Sequence, residues 1–214
     1  MRKWFNVIRI DWHCIASGWK LLGFFLVIDI SVLLFGLISN TAAYMIYGAA
    51  CGMMGSLTLF PFITSQQRGL EGLLALTPTP RRTIVLGHYA FAVTAVTAVV
   101  GNLFLVGRLA NAVGLLDLAL TKTIVPAVIL ALFFLAVTAL QYPILLRFGY
   151  DRVTFAVYLP LALLTMILFW FLDHGRTKML LTNIQLSLGV LIAFVGLFGL
   201  SIIVSLLWYR QREL

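Results

Sequence analysis

The chain has 214 residues, of which 62% are hydrophobic and only 10% charged, with a net charge of +8 and a mean hydropathy of +1.06. No soluble domain needs that much apolar surface, and apolar runs of about 20 residues have the length that crosses a hydrocarbon core as a helix. The composition therefore excludes a water-soluble enzyme and predicts a polytopic membrane protein. The first 20 residues hold no compact apolar stretch ending in a small-residue cleavage site, so the first span is expected to be a retained anchor.

Residues 1–20 predict an amphipathic helix lying on the membrane surface. Trp4, Ile8, Trp12, Ile15 and Trp19 recur every three or four positions, and Arg2, Asn6, Arg9, His13, Ser17 and Lys20 occupy the other side. Asp11 falls inside the apolar arc, where a carboxylate requires a cation or a hydrogen-bond donor, or else snorkels or is capped locally. Cys14 and Cys51 lie in unlike surroundings and are not expected to pair. The adjacent His13 and Cys14 fall far short of a metal-binding set, so no metal is expected.

The first span, about 21–39, carries Asp29 near its middle. A carboxylate there costs roughly 2.5–3.5 kcal/mol on insertion scales, so it is expected to face the bundle interior or the translocation path. The second span, about 42–63, contains Gly48, Gly52 and Gly55, whose small-xxx-small spacing lets another helix approach closely. A polar loop over 64–82 follows. Within it Leu70, Leu73 and Leu74 share one face of a short helix while Glu71 points elsewhere, and Pro78 and Pro80 end that helix before Arg81 and Arg82. It reads either as a plain interfacial connector with a basic stop or as a docking surface for a soluble partner.

The third span is expected at about 83–106, followed over 107–120 by a short interfacial helix with Leu109, Val113, Leu116 and Leu120 on one face. The fourth, about 124–146, holds Pro126 and Pro143 near its ends. The fifth, about 153–172, is expected to bend at Pro160. The sixth, about 184–208, runs into a tail, 209–214, with Trp208, Tyr209, Arg210 and Arg212 as an interface anchor. The fold expected is thus all-α, a bundle of six transmembrane helices over 21–208 with an N-terminal interfacial helix at 1–20 and a short helix between the second and third spans.

With both termini inside, the inner segments hold eleven Lys and Arg residues and the outer ones four, which places the 64–82 loop in the cytoplasm. The positive charge is then a record of topology in a cell membrane, and nucleic acid is not needed as a partner. No Gly-x-x-x-x-Gly-Lys-Ser/Thr loop occurs in the sequence, nor His-Glu-x-x-His, nor Gly-x-Ser-x-Gly. An enzyme built on His88, Asp173 and His174 would need groups from opposite membrane faces to meet.

Several features together resemble a known family. The Ile-Arg-Ile-Asp-Trp run around Asp11, six spans with both termini inside, and Leu76-Thr77-Pro78-Thr79-Pro80-Arg81-Arg82-Thr83-Ile84-Val85 followed by His88-Tyr89 are similar to the small six-span ABC-2 permeases of ATP-binding-cassette exporters. The resemblance implies that a separate nucleotide-binding ATPase subunit carries ATP and Mg, with no cofactor on this chain. It also implies a second permease subunit, identical or not, completing the path within the membrane lipid. The loop helix, about Gly69 to Leu76, would be the coupling helix, with Leu70, Glu71, Leu73, Leu74, Pro78, Arg81, Arg82 and Asp11 serving the contact with the ATPase. Relatives often carry acidic residues where this chain has Ser65-Gln66-Gln67-Arg68, and a lysine where it has His88. Two other functional classes remain: a secondary carrier or channel using Asp29 for ion coupling, and a non-transporting membrane scaffold.

Overall fold

The computed structural model describes residues 7–12, 57–65, 80–112, 120–150 and 184–211, with isolated positions near 23–30 and 152–166. Asp29, Gly48, Gly52, Gly55, Leu70, Glu71, Leu73, Leu74 and Pro78 lie outside the described residues. All regular structure among the described residues is helical. Three long helices dominate: α1 (Arg81–Ala112), α2 (Leu120–Phe148) and α3 (Ile184–Gln211). Each contains a stretch long and apolar enough to cross a membrane, at Arg81–Val106, Ala131–Phe148 and Leu191–Arg210. The helical segments 7–12 and 57–65 pack beside them.

The helix boundaries follow from local chemistry. Pro80 stands just ahead of α1, where its missing N–H is no loss, and its carbonyl accepts the Thr83 N–H at 2.8 Å to close the first turn. At the far end the helix continues through Gly107 to Ala112, where a separate interfacial helix had been expected to begin. One glycine costs a helix about 1 kcal/mol and breaks no hydrogen bond, so apolar sequence on both sides carries the helix past it. Helix α2 stops at Gly149, whose φ of 76° is the left-handed conformation that glycine adopts without penalty, and its N–H caps the Leu145 carbonyl at 2.8 Å.

Helices α1 and α2 are antiparallel, and α3 runs parallel to α2, so the start of α1 meets the ends of the other two. Their shared core is built from Ile84, Val85, Tyr89 and Ala92 of α1, Tyr142, Leu145 and Leu146 of α2, and Tyr209 of α3, joined by Leu59 and Phe62 of segment 57–65. Helix α2 is the most enclosed of the three and α3 the least. Leu191, Ile192, Val195, Leu200, Ile203 and Leu207 leave much of α3 as exposed apolar surface, which a membrane interior accepts and water does not.

Candidate functional site

Among the described residues, polar side chains gather where these helix ends meet, in three linked pieces. The first fastens segment 7–12 onto α1. Val7 and Asp11 lie one helical turn apart and are both buried, so they form the inward face of the segment, while Arg9 and Ile10 are exposed. Gly87 permits the approach: a Cβ at that position would stand 2.5 Å from Val7 Cγ1 and 2.6 Å from Val7 Cβ. One residue further along α1, His88 donates its Nδ1–H to Asp11 Oδ2 at 2.7 Å, with both residues buried. Trp12 meets Phe91 edge-on at 5.6 Å, and the Phe62 ring lies 4.9 Å from the His88 imidazole. The apolar arc that the sequence gives Asp11 is thus the face that packs on α1, and the donor it requires is a histidine 77 positions away.

The second piece runs across all three long helices. Pro143 has no N–H, so the carbonyl of Ala139 one turn earlier loses its helical donor. Ser201 of α3 supplies the replacement, donating its hydroxyl to Ala139 O at 2.6 Å. Because that spends the only Ser201 proton, the 2.5 Å contact between Tyr89 and Ser201 has Tyr89 as donor. Ser205, 2.8 Å from the same tyrosine oxygen, then donates to Tyr89. The bonds therefore run in one direction, from Ser205 to Tyr89 to Ser201 to the Ala139 carbonyl, with Tyr89 and Ser201 each both giving and receiving. Tyr142 packs edge-on against Tyr89 at 5.1 Å and Phe62 at 5.1 Å, and donates to the Thr58 carbonyl at 3.3 Å.

The third piece closes the end of the bundle. Arg81, the first residue of α1, donates to the carbonyls of Arg210 at 2.9 Å and Tyr209 at 3.5 Å in the last turn of α3, where helical donors run out. The Arg147 guanidinium lies 4.7 Å from the Trp208 ring centre and 5.0 Å from that of Phe148. Segment 7–12, segment 57–65 and the adjoining ends of α1, α2 and α3 are thereby held in one packed unit.

Of the site residues expected from sequence, Asp11, Arg81 and Arg82 are described. Asp11 is buried against His88, Arg81 is engaged with α3, and Arg82 is exposed. From sequence, Gly87, Tyr89, Ser201 and Ser205 do not stand out as structural partners, and His88 enters only in the rejected enzyme site and in the His88-Tyr89 stretch of the family resemblance. Asp11 and His88 are each a polar group in apolar surroundings at the same membrane face, so the need of each for a partner is legible in the sequence, although the pairing itself is not. Among the described residues no group of three or more His, Cys, Asp or Glu side chains gathers as a metal site would.

A family model described as ABC-2 family transporter protein matches residues 11–210. No curated protein and no solved structure matches the chain.

Proposed function

Because the chain belongs to the ABC-2 family of transporter proteins, its match running over residues 11–210, we propose that it is the permease subunit of an ATP-driven exporter, coupled to a separate ATPase subunit that binds ATP and Mg. A second permease subunit, the same chain or a related one, completes the path. The chain lies in the cell membrane with both termini in the cytoplasm, and the gathering of Arg81, Arg147 and Arg210 at one end of the bundle supports that orientation. The helix at about Gly69 to Leu76 takes the coupling role, with Leu70, Leu73 and Leu74 entering a groove of the ATPase, Glu71 setting register, and Pro78 stiffening the exit toward α1. Asp29 faces the bundle interior or the path in this reading, and Gly48, Gly52 and Gly55 serve helix packing.

The observation that carries this proposal is the Asp11–His88 bond, which lies at the start of α1, just beyond the loop, and ties the N-terminal segment to it. A push delivered through the loop would reach segment 7–12 and α1 together. Asp11 and Arg81 then act inside the permease: Asp11 through His88, and Arg81 through the end of α3. Arg81 and Arg82 are both exposed at that end; Arg81 reaches the end of α3, and Arg82 is the one proposed to touch a partner. The test is reconstitution in vesicles with and without the ATPase subunit. Transport that requires both chains and ATP is expected, and transport by the lone chain without ATP would replace the exporter with a carrier.

A further inference from the structure

Between α1 and α3 lies an apolar groove of about 390 Å³, lined by Thr83, Leu86, Tyr89, Ala90 and Val93 of α1 and Phe198 and Ile202 of α3. The space is many times the roughly 30 Å³ that one water occupies in the liquid, and apolar cavities do not hold water stably. Its walls belong to the stretches Arg81–Val106 and Leu191–Arg210, each long and apolar enough to cross a membrane, so hydrocarbon is the filler of matching chemistry.

Charge decides which hydrocarbon. At 100° per residue, Leu86, Ala90 and Val93 fall within a narrow arc of α1, and Arg82 lies on that arc one turn before Leu86. Side chains of a helix lean toward its N-terminus, which carries the Arg82 guanidinium outward from the mouth of the groove. Arg82 is exposed, whereas Arg81, on another face, is already committed to the α3 carbonyls. From Arg82 to Arg108 the helix rises about 39 Å, close to the full width of a bilayer with its headgroups, so Arg82 stands at headgroup depth. A negatively charged headgroup is the complement of that side chain.

We propose that the α1–α3 groove is a binding site for an anionic phospholipid, with an acyl chain along Leu86, Ala90 and Val93 and the phosphate on Arg82. The site shares Arg82 with the proposed ATPase contact but does not rest on that contact, and its test, made on the lone chain, does not involve ATP. The purified full chain in detergent is stripped of lipid and titrated with phosphatidylglycerol or with phosphatidylcholine of the same acyl chains, and bound lipid is counted by native mass spectrometry. Wild type is expected to take phosphatidylglycerol at least about fivefold more tightly, the increment typical of one basic side chain near an anionic surface. Arg82→Ala should remove the preference, Arg108→Ala at the other end of the helix should retain it, and Ala90→Phe, which fills the groove, should lower retention of both lipids. Equal binding of the two lipids by wild type would overturn the proposal. So would equal effects of Arg82→Ala and Arg108→Ala, or an Ala90→Phe chain that changes oligomeric state but not lipid retention, which would make a second copy the occupant. Arg82→Ala changes an exposed side chain, so the outcome does not depend on whether Ala90→Phe folds.

Discussion

His88 holds Asp11 at 2.7 Å inside the bundle, and the two residues come from helical elements separated by the whole of the first two predicted spans. Removing one partner leaves the other a buried, uncompensated polar or charged group, which typically costs about 3–5 kcal/mol. His88→Ala is therefore expected to lower the thermal stability of the detergent-solubilised protein sharply. The double change Asp11→Ala with His88→Ala should cost much less than the sum of the single changes. Strict additivity in such a cycle would mean that the pair contributes nothing to holding segment 7–12.

Gly87 is a steric requirement of the same junction. Gly87→Ala forces the Val7 side chain, or the segment that bears it, away from α1, with an expected loss of about 1–3 kcal/mol as for other overpacked contacts. Adding Val7→Ala removes the atoms that the new Cβ would strike and should recover part of the loss. A Gly87→Ala chain that melts like wild type would show that segment 7–12 does not sit as close as the geometry has it.

The hydroxyl seam makes a prediction about Pro143. Ser201→Ala leaves the Ala139 carbonyl with neither its helical donor nor its side-chain donor, and an unsatisfied buried acceptor costs about 1–3 kcal/mol. With Pro143→Ala in place, residue 143 has an N–H for that carbonyl, so Ser201→Ala should be milder in this background. Tyr89→Phe should cost about 1 kcal/mol, in the range of interhelical hydrogen bonds in membranes. Measured melting shifts that are the same in both backgrounds would contradict the role assigned to Pro143.

Arg81 caps the last turn of α3 from outside that helix. Arg81→Ala should speed amide exchange at the end of α3, around Trp208 to Gln211, and leave the middle of the helix near Ser201 unchanged. Exchange that rises uniformly along α3 would point to general destabilisation instead.

The extent to which this structure can be read from sequence differs between its parts. Apolar length alone located the helices near 83–106, 124–146 and 184–208, because a bilayer core demands a fixed run of apolar residues. It missed the continuation of α1 through Gly107 because interfacial patterning and helix propensity do not distinguish a break from a run-on. The need of Asp11 for a partner was legible, since its position in an apolar arc is a local property. The identity of that partner was not, because nothing local to either residue encodes a pairing across 77 positions. Gly87 lies outside the glycine run of the second span, and the approach of Val7 is what reveals its purpose. Pro143 was placed near the end of the fourth span, but that the Ala139 carbonyl it frees would be taken up by Ser201 depends on how α2 and α3 pack.

The proposed coupling is tested most directly at the loop helix. Leu70→Ala with Leu73→Ala truncates the apolar face that would enter the ATPase groove, where each fully buried leucine contributes roughly 1.5–3 kcal/mol. The measurement is copurification of the ATPase subunit and its stimulated hydrolysis of ATP, made on chains shown to be inserted and to melt like wild type. Loss of both copurification and stimulation is the result expected of a coupling helix. Wild-type values for both would show that the 64–82 loop is only a connector, and would contradict the coupling proposed here.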